Sequence, residues 1–329
     1  MKGSLKHTMA VFGLCAVGLL STLPSQAASP YPNKPISLVV PFAPGGSSDI
    51  IARSLAPALG KALNQTIVVE NYSGAGGIVG TQRAVRAAAD GYTILLGSGS
   101  EILINKLINP DLSYDGIKDL EPVAFVATGP MVLVGNPELP AKDITSLLEY
   151  AKQEGQNISF ASAGNGTPMH VAGELLNMKA NLAMTHVPYR GAAPALVDIL
   201  GGQVELGIAT LSAAQNQIKA GKLIGYAVTT NTPFELTPDI PALGQIPGLE
   251  GFDLGVWFGL FVPVGTPSEI VDVIEQASQT VLNDPAVQRL LAEQGVSPST
   301  ASGEDLKHFL LEEVEKYQAV VKAAQISIR

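Results

Sequence analysis

The sequence has 329 residues, with 20 Lys or Arg against 29 Asp or Glu, so its formal net charge is −9. This acidic balance disfavours nucleic acid and anionic membrane surfaces as partners, because both repel a negatively charged protein. The sequence contains one cysteine, Cys15, so neither a disulfide framework nor a cysteine-based metal site is expected.

Residues 1–27 are predicted to form a secretory signal peptide. They combine a basic start at Lys2 and Lys6, an apolar run from Met9 to Leu20, and small residues suited to cleavage after about Ala27. The apolar run is too short to span a bilayer, and no later segment is long enough. We therefore expect an exported protein that is not inserted in the membrane. The remaining 302 residues (329 minus 27) suffice for two domains of about 150 residues each.

From there on, short β-like runs alternate with helical patterns, which favours an α/β fold with sheets covered by helices. Ile51, Leu55 and Leu59 fall at helical spacing, and a final helix is predicted near Gly303 to Ala324. The Pro- and Gly-rich stretch Thr232–Gly251 is predicted to connect two domains. The predicted strands are Ile36–Phe42, Thr66–Glu70, Thr93–Leu96, Glu121–Ala127, Met131–Gly135, Ile158–Ala161, Met184–Val187, Leu206–Ala209, Ile224–Thr229 and Val256–Val262.

Two segments, about 120 residues apart, share one plan. "VVPFAPGGSSDIIARSL" and "ISFASAGNGTPMHVAGELL" each run from an apolar strand through a loop of small residues into an amphipathic helix. A helix N-terminus has free backbone N–H groups and a partial positive charge, and glycine lets a ligand approach the backbone closely. Each loop is therefore a candidate anion site without cationic side chains. The candidate groups are Gly45, Gly46, Ser47 and Ser48, with Asp49 complementing the dipole, and Ser162, Gly164, Gly166 and Thr167, with Pro168 at the first helical position.

The alternative interpretation is that both loops are ordinary strand–helix turns with good caps. Nucleotide binding has little support, since neither phosphate-binding glycine motif is present. The histidines at 170, 186 and 308 lack metal-ligand spacing, so no metal and no cofactor are expected. A secreted hydrolase would need a base beside a nucleophile, which only His170 near Ser162 or Thr167 offers, and the nucleophile-elbow motif is absent.

Six stretches carry a family resemblance: "YPNKPISLVVPFAPGGSSDIIAR", "VVENYSGAGGIVGT", "DGYTILLGS", "SAGNGTPMHVAGELL", "VPYRGAAPALVDILGGQVELG" and "VWFGLFVPVGTP". They resemble, in the same order, the Bug family of periplasmic solute-binding proteins. These are the extracytoplasmic receptors associated with tripartite tricarboxylate transporters. The resemblance covers essentially the whole chain after the predicted signal peptide.

The resemblance implies a type II Venus-flytrap fold, in which each of two lobes is a sheet flanked by helices and a cleft lies between them. Lobe 1 is expected to comprise residues 28–126 and about 252–329, and lobe 2 residues 127–251, with the assignment of the C-terminal helix left open. A ligand carboxylate would lie between the two loops, held by main-chain N–H groups, hydroxyls and ordered water. The matching positions are Ala43, Gly45, Gly46, Ser47, Ser48 and Asp49 in the first loop, and Ser162, Ala163, Gly164, Gly166, Thr167 and His170 in the second.

The other end of the ligand is expected near loops that follow further strands, because sites in open α/β sheets form beyond the carboxyl ends of strands. Ser98, Ser100 and Glu101 follow one such strand. Tyr189 and Arg190 follow another, where Arg190 either binds a second carboxylate bidentately or lies solvated on the rim.

The segment Ile208-Ala209-Thr210 lies where members of this family often have a Phe-Asp pair. The loss of that carboxylate disfavours an amino-acid ligand, since it removes a partner for an ammonium group. Glu101 is the counter-evidence, because it would receive an ammonium group if it points into the cleft.

These features predict a protein that binds a small organic carboxylate, aliphatic or aromatic and preferably a dicarboxylate, and delivers it to membrane transporter subunits without catalysing a reaction. The expected mechanism is a shift between open and closed lobes, favoured by a ligand that touches both. A carboxylate receptor for a membrane sensor kinase is one alternative, and a secreted hydrolase is another. A monomer is expected.

Overall fold

Residues 31–153 and 157–326 are described by the computed structural model of the protein. The predicted signal peptide and its cleavage site lie outside these residues. None of the described helices is both long and apolar enough to cross a membrane.

The described residues form ten strands and ten α-helices, with three short helical turns at Ala75–Gly77, Ser100–Ile104 and Leu243–Gln245. The strands are β1 (Ile36–Val40), β2 (Ile67–Asn71), β3 (Thr93–Ser98), β4 (Leu120–Gly135), β5 (Ser159–Ser162), β6 (Thr185–Pro188), β7 (Leu206–Thr210), β8 (Ile224–Val228), β9 (Gly255–Pro263) and β10 (Ser297–Pro298). The helices are α1 (Ser47–Ala62), α2 (Ile78–Val85), α3 (Asn105–Ile108), α4 (Ile144–Ala151), α5 (Pro168–Ala180), α6 (Ala192–Leu200), α7 (Leu211–Lys219), α8 (Ser268–Leu282), α9 (Pro285–Glu293) and α10 (Gly303–Ala323).

The predicted strands are confirmed to within a few residues, with one correction. Glu121–Ala127 and Met131–Gly135 belong to a single strand, β4, because β9 pairs across the intervening turn-like residues. Pro130 lacks an N–H group, but it lies where the partner of β4 changes from β9 to β7, so the missing donor is tolerated. The two-residue strand β10 was not predicted.

The strands form two sheet regions that share β4. In the first region, here called lobe 1, β1 lies between β2 and β3 in parallel, and β9 joins β3 to β4 in antiparallel fashion. In the second region, lobe 2, β4 pairs with β7 and β8, and β7 continues through β5 to β6. Helices α1, α2, α8, α9 and α10 pack on lobe 1, and α4 to α7 pack on lobe 2. This is the two-lobe α/β architecture that the sequence predicts.

Each lobe has a core of side chains at the spacing of its elements. In α1, Ile51, Leu55 and Leu59 are at most 1% exposed and lie on one face of the helix. In lobe 2, the buried cluster draws Val132 and Val134 from β4 together with Leu211 at the start of α7. Burial of these faces fixes the helices against the sheets, so the loops that follow β1, β5 and β7 are held at the carboxyl ends of their strands.

Candidate ligand-binding site

A narrow cavity lies where strand ends from the two lobes meet. Its wall combines apolar side chains with a few polar groups, as is typical of small-molecule sites. Its wall is formed by Phe42, Gly46, Ser47, Ser48, Ser98, Ser100, Ala163, Thr167, Pro168, Met169, Ala192, Thr210, Val256 and Phe258.

The N-terminus of α1 forms the lobe 1 side of the cavity. Its N-cap is Gly46, which has an extended backbone (φ −82°, ψ 171°) and supplies no side-chain cap. Ser47 and Ser48 follow directly and are 8% and 4% exposed. Among the described residues, their hydroxyls have no hydrogen-bond partner. The first turn of α1 therefore presents N–H and O–H donors to the cavity at the positive end of the helix dipole.

Asp49 holds the loop before α1 in place through hydrogen bonds. Its carboxylate accepts hydrogen bonds from Gly45 N (2.9 Å), Arg53 Nε (2.9 Å) and Asn71 Nδ2 (3.0 Å). Burial acts to raise the pKa of Asp49, but the hydrogen bonds from Arg53, Gly45 and Asn71 outweigh it and hold the pKa below its usual value. The carboxylate is thus ionised and engaged with protein groups, so its observed role is to fix the loop.

The loop before α5 forms the lobe 2 side and is held by its own hydrogen bonds. Thr167 is the N-cap, and its Oγ1 accepts from His170 N (3.3 Å) while donating to the Gly164 carbonyl oxygen (2.7 Å). Gly164 N in turn donates to Ser162 Oγ (3.1 Å). Pro168 occupies the first helical position, where its missing N–H group costs nothing. The loop is therefore held in place by hydrogen bonds within the protein itself.

Two stacked histidines support this loop. The rings of His170 and His186 lie 4.0 Å apart at an angle of 14°. His170 Nδ1 accepts from Gly166 N (3.2 Å), and His186 Nε2 lies 2.6 Å from Ser162 Oγ. Burial lowers the pKa of His170 to about 4, and burial together with the charge of His170 lowers the pKa of His186 to about 3. Both rings are therefore neutral near pH 7 and act as hydrogen-bonding and packing groups.

Two further helices begin at the cavity from lobe 2. Helix α6 starts at Ala192 after Gly191, which supplies no side-chain cap. Helix α7 is capped by Thr210, whose Oγ1 accepts from Ala213 N (3.3 Å) and Ser212 Oγ (3.0 Å). The positive ends of α1, α5, α6 and α7 thus all face one cavity, which makes it favourable for an anion.

Ser98, Ser100 and Glu101 lie together at the end of β3, but they face different ways. Ser98 and Ser100 line the cavity, whereas the Glu101 carboxyl turns back to accept from Ser98 N (2.6 Å) and Ser98 Oγ (3.0 Å). Burial raises the pKa of Glu101 to about 8 although these donors favour the ionised form. Glu101 is 1% exposed and is not part of the cavity wall. The inward orientation that would receive an ammonium group is therefore not observed.

Within the described part of the chain, the cavity wall contains no charged side chain. Hydroxyl and backbone donors lie beside apolar groups, of which Phe42, Met169, Val256 and Phe258 are the largest. Such a wall suits an anion bound by oriented dipoles with an uncharged carbon skeleton against the apolar surface.

The structure brings eight of the predicted site residues to the cavity. They are Gly46, Ser47, Ser48, Ser98, Ser100, Ala163, Thr167 and Thr210. The other predicted residues lie outside the wall, and several of them hold the loops in place. These are Ala43, Gly45, Asp49, Glu101, Ser162, Gly164, Gly166, His170, Tyr189, Arg190 and Ala209.

Tyr189 and Arg190 do not face the cavity. The Tyr189 hydroxyl donates to Asp198 Oδ2 (2.7 Å), and burial together with this carboxylate raises the pKa of Tyr189 to about 12. Arg190 is exposed, and its guanidinium has no hydrogen-bond or ion-pair partner among the described residues. Of the two predicted positions for Arg190, the structure has the solvated one.

Five wall residues were not predicted: Phe42, Met169, Ala192, Val256 and Phe258. A sixth, Pro168, was predicted as the first residue of its helix but not as a residue that contacts the ligand. Ala192 had a usable signal, because "VPYRGAAPAL" repeats the plan of strand, glycine and helix start seen in the two predicted loops. Val256 and Phe258 had none, since alternation along β9 shows which residues share a face but not which face meets the cavity.

The structure also places a serine beside a histidine, as a hydrolase would require, but not the predicted pair. His186, not His170, contacts Ser162, and Ser162 is fully buried and does not line the cavity. Among residues 31–153 and 157–326, no group of three or more His, Cys, Asp or Glu side chains is arranged to hold a metal ion.

The fold and the cavity together define a two-lobe ligand-binding protein. Residues 51–326 match the model of the family described as "Tripartite tricarboxylate transporter family receptor". The chain belongs to this family, as the resemblance to Bug proteins predicts.

Individual relatives agree over nearly the whole chain. Protein BugT of Bordetella pertussis is 34% identical over 297 residues, covering 90% of this chain and 91% of the relative. The structure of the periplasmic binding protein BugD is 35% identical, covers 91% of this chain and 100% of its own, and gives a TM-score of 0.86.

Two other similar structures were determined with ligands. The R. palustris protein Rpa4515 with adipate is 30% identical, covers 90% of this chain and 99% of its own, and gives a TM-score of 0.87. MatC from Rhodopseudomonas palustris with bound malate is 32% identical, covers 88% of this chain and 100% of its own, and gives a TM-score of 0.83.

Proposed function

We propose that this protein captures a small organic carboxylate between its two lobes and delivers it to a tripartite tricarboxylate-type membrane transporter. The observation that carries the proposal is the convergence of four helix N-termini, from both lobes, on a cavity whose described wall has no charged side chain. Free N–H and hydroxyl donors bind a carboxylate without a cation. The protein binds its ligand and performs no chemistry.

The ligand class that fits best is a dicarboxylate. One carboxylate would meet the N-termini of α1 and α5, and the second group would meet Ser98, Ser100 and Thr210. The malate and adipate bound by the two similar proteins support this choice, since both are dicarboxylates. The absence of a carboxylate from the described wall disfavours an amino-acid ligand, whose ammonium group would lack a partner.

The proposed mechanism is a shift between open and closed lobes. A ligand that touches α1 in lobe 1 and α5 in lobe 2 favours closure by its higher affinity for the closed state. We assign lobe 1 to residues 28–126 and about 252–329 and lobe 2 to residues 127–251. The packing of α10 on β4 and on the turn Ser100–Ile104 supports placing the C-terminal helix with lobe 1. We also propose that the protein acts as a periplasmic monomer.

A matched pair of glycine substitutions tests the proposal. A Cβ on Gly46 would lie 3.5 Å from Ala43 O, and one on Gly201 would lie 3.5 Å from Val197 O, so the protein has room for a side chain at both. Both residues have φ −82°, which any residue adopts. Only Gly46 lines the cavity. Leucine at position 46 should therefore occupy ligand space, and leucine at position 201 should not.

The measurement is the thermal shift and calorimetric titration of the protein with a panel of aliphatic and aromatic mono- and dicarboxylates. Wild type and Gly201→Leu should be stabilised in proportion to the logarithm of ligand concentration, as mass action requires. Gly46→Leu should fold normally but lose the response. No response of ligand-free wild type to any carboxylate would reject the proposal, and an equal response of Gly46→Leu would reject the cavity as the site.

A further inference from the structure

The two lobes also touch each other beside the cavity, in a region that we call the closure seam. It consists of Gly74–Gly77, Asn105 and Ile108 on the lobe 1 side and Gly164–Gly166 on the lobe 2 side. A Cβ on Gly164 would lie 3.6 Å from the Gly76 amide nitrogen, so the two loops face each other at close range. None of these residues lines the cavity.

The lobe 1 side is a tight loop that Asn105 holds in place. All four residues of Gly74–Gly77 have positive φ, including Ala75 at 49° and Gly76 at 61°. Asn105, which is fully buried, donates from Nδ2 to the Gly76 carbonyl oxygen at 2.9 Å. The "SGAGG" motif of the sequence thus forms a fixed backbone surface that faces the other lobe.

The seam has no room for side chains. A Cβ on Gly76 would overlap the backbone carbonyl oxygen of Asn165 in the other lobe. A Cβ on Gly166 would overlap Asn105 Oδ1 and would lie 2.7 Å from Ile108 Cδ1. Contacts across the other side of the cavity are looser, because a Cβ on Gly45 would lie 3.6 Å from Ala193 Cβ. A methyl group at Gly76 or Gly166 would therefore act specifically against this arrangement, with the two lobes in contact, which is here called closed.

The Asn105 amide contributes in a second way. Its Oδ1 is buried at the seam and makes no well-formed hydrogen bond to a described residue, although the Tyr114 side chain interacts with the Asn105 amide. A buried acceptor without a partner is unfavourable, and opening of the lobes would return it to water. The seam thus combines close backbone contact, which favours closure, with one dehydrated oxygen, which opposes it.

The seam connects to the cavity through the loop before α5. That loop is held by the bond from Thr167 Oγ1 to Gly164 O (2.7 Å) and by the bond from Gly166 N to His170 Nδ1 (3.2 Å). Ala163 and Thr167, in the same loop, line the cavity. A displacement of Gly164–Gly166 therefore also displaces wall groups relative to α1 of lobe 1.

We propose that Gly76, Gly166 and Asn105 are positioning residues, which set ligand affinity by seating the loop before α5 against lobe 1 without touching the ligand. This inference rests on the proposed function, because it requires a ligand that closes the lobes. Substitutions at the closure seam should therefore change ligand affinity without a matching change in the stability of the fold.

The first test compares Gly76→Ala with Gly221→Ala. Gly221 has φ 66°, close to the 61° of Gly76, but a Cβ there meets nothing within 4 Å. Both substitutions place alanine in the left-handed region and carry the same backbone cost. Their melting temperatures should therefore fall by similar amounts. With adipate and malate as probes, Gly221→Ala should keep the wild-type dissociation constant, and Gly76→Ala should weaken it by about tenfold or more.

The second test is a cycle that remains informative if Gly76→Ala does not fold. Gly166→Ala should weaken probe binding about tenfold in the wild-type background. In an Asn105→Ala/Ile108→Val background, which removes the two atoms that a methyl group at 166 would meet, the same substitution should change affinity by no more than about twofold. A purely structural role of Gly166 would give the same loss in both backgrounds.

Small-angle X-ray scattering of the probe-saturated proteins completes the design. Wild type and Gly221→Ala should become more compact on binding, whereas Gly76→Ala should remain more extended. Wild-type affinity and compaction in Gly76→Ala, or equal losses in both backgrounds for Gly166→Ala, would overturn the seam inference alone. If wild type binds neither probe nor any other carboxylate of the panel, the proposed function and this inference fail together.

Discussion

Glutamine in place of Glu101 is expected to remove a fall in stability between about pH 4.5 and about pH 8. The Glu101 side chain is 1% exposed, and both of its oxygens accept hydrogen bonds from Ser98. Burial raises the pKa of this carboxyl from 4.5 to about 8. Between these two values the folded protein keeps a proton that the unfolded chain releases.

The sign and size of the effect follow from this difference in pKa. Because the folded pKa is the higher one, the unfolded chain binds fewer protons across this interval, and the free energy of unfolding falls as pH rises. The stabilising contribution of Glu101 to the free energy of unfolding is fully present below pH 4.5 and is lost once the pH passes about 8. At about 1.4 kcal/mol per pH unit, the loss is on the order of 5 kcal/mol. Glutamine keeps a carbonyl oxygen for Ser98 N but cannot ionise.

Urea unfolding, followed by circular dichroism across this pH range, measures the effect. The difference in unfolding free energy between Glu101→Gln and wild type should grow in favour of the variant as the pH rises. Tyr114→Phe is the control, since the Tyr114 hydroxyl donates to the Glu101 carbonyl oxygen (3.0 Å) and its removal disturbs the same turn without removing the carboxyl. Parallel pH profiles for wild type and Glu101→Gln would refute the reasoning.

Three further predictions concern the loops around the cavity. Asp49→Ala removes the shared acceptor of Gly45 N, Arg53 Nε and Asn71 Nδ2. It should cost about 2–3 kcal/mol in calorimetric stability and, under the proposed function, weaken carboxylate binding. Unchanged binding would mean that Asp49 does not shape the site. Ser100→Ala should leave the melting temperature unchanged, because its hydroxyl has no described partner, but it should lower carboxylate affinity several-fold in titration calorimetry. His186→Gln should reduce the loss of stability on acidification. The pKa of His186 is lowered to about 3 from 6.5, so wild-type stability falls as the pH drops from 6.5 towards 3, and equal acid-unfolding profiles would contradict this.

Much of the fold could be predicted because strands and helices produce local patterns of apolar residues in the sequence. The apolar runs located the strands, but two strands, Glu121–Ala127 and Met131–Gly135, were predicted where the structure has one. Local turn propensity was overridden there by pairing with β9, which no local pattern reveals. The two-residue strand β10 contains Pro298 and exists only through its pairing with β4.

The site could be predicted where its residues are contiguous in sequence. It could not be predicted where the direction of a side chain decides whether a residue lines the cavity. Gly46 to Ser48 and Thr167 reach the cavity because a strand–loop–helix unit carries its own geometry. Ser100 and Glu101 are adjacent, yet one faces the cavity and the other turns back to Ser98, because the helical turn Ser100–Ile104 points them differently. Trp257 faces α10 and meets Phe309 edge-on at 5.9 Å, while its neighbours on β9 line the cavity.

The glycines around the cavity illustrate two separate physical demands that sequence alone does not distinguish. At Gly46 neither the backbone conformation nor the protein packing requires glycine, so its value lies in the space left for a ligand against the N–H groups of α1. At Gly76 the left-handed conformation and the opposing carbonyl oxygen of Asn165 both require it, so its value lies in the approach of one lobe to the other. If the protein binds an anion through backbone dipoles, as proposed, binding depends on both, since these dipoles act only over the short distances that closure provides. Substitutions at the two positions should therefore weaken binding by different routes: Gly46→Leu by filling the cavity in either state of the lobes, and Gly76→Ala by preventing the closed state.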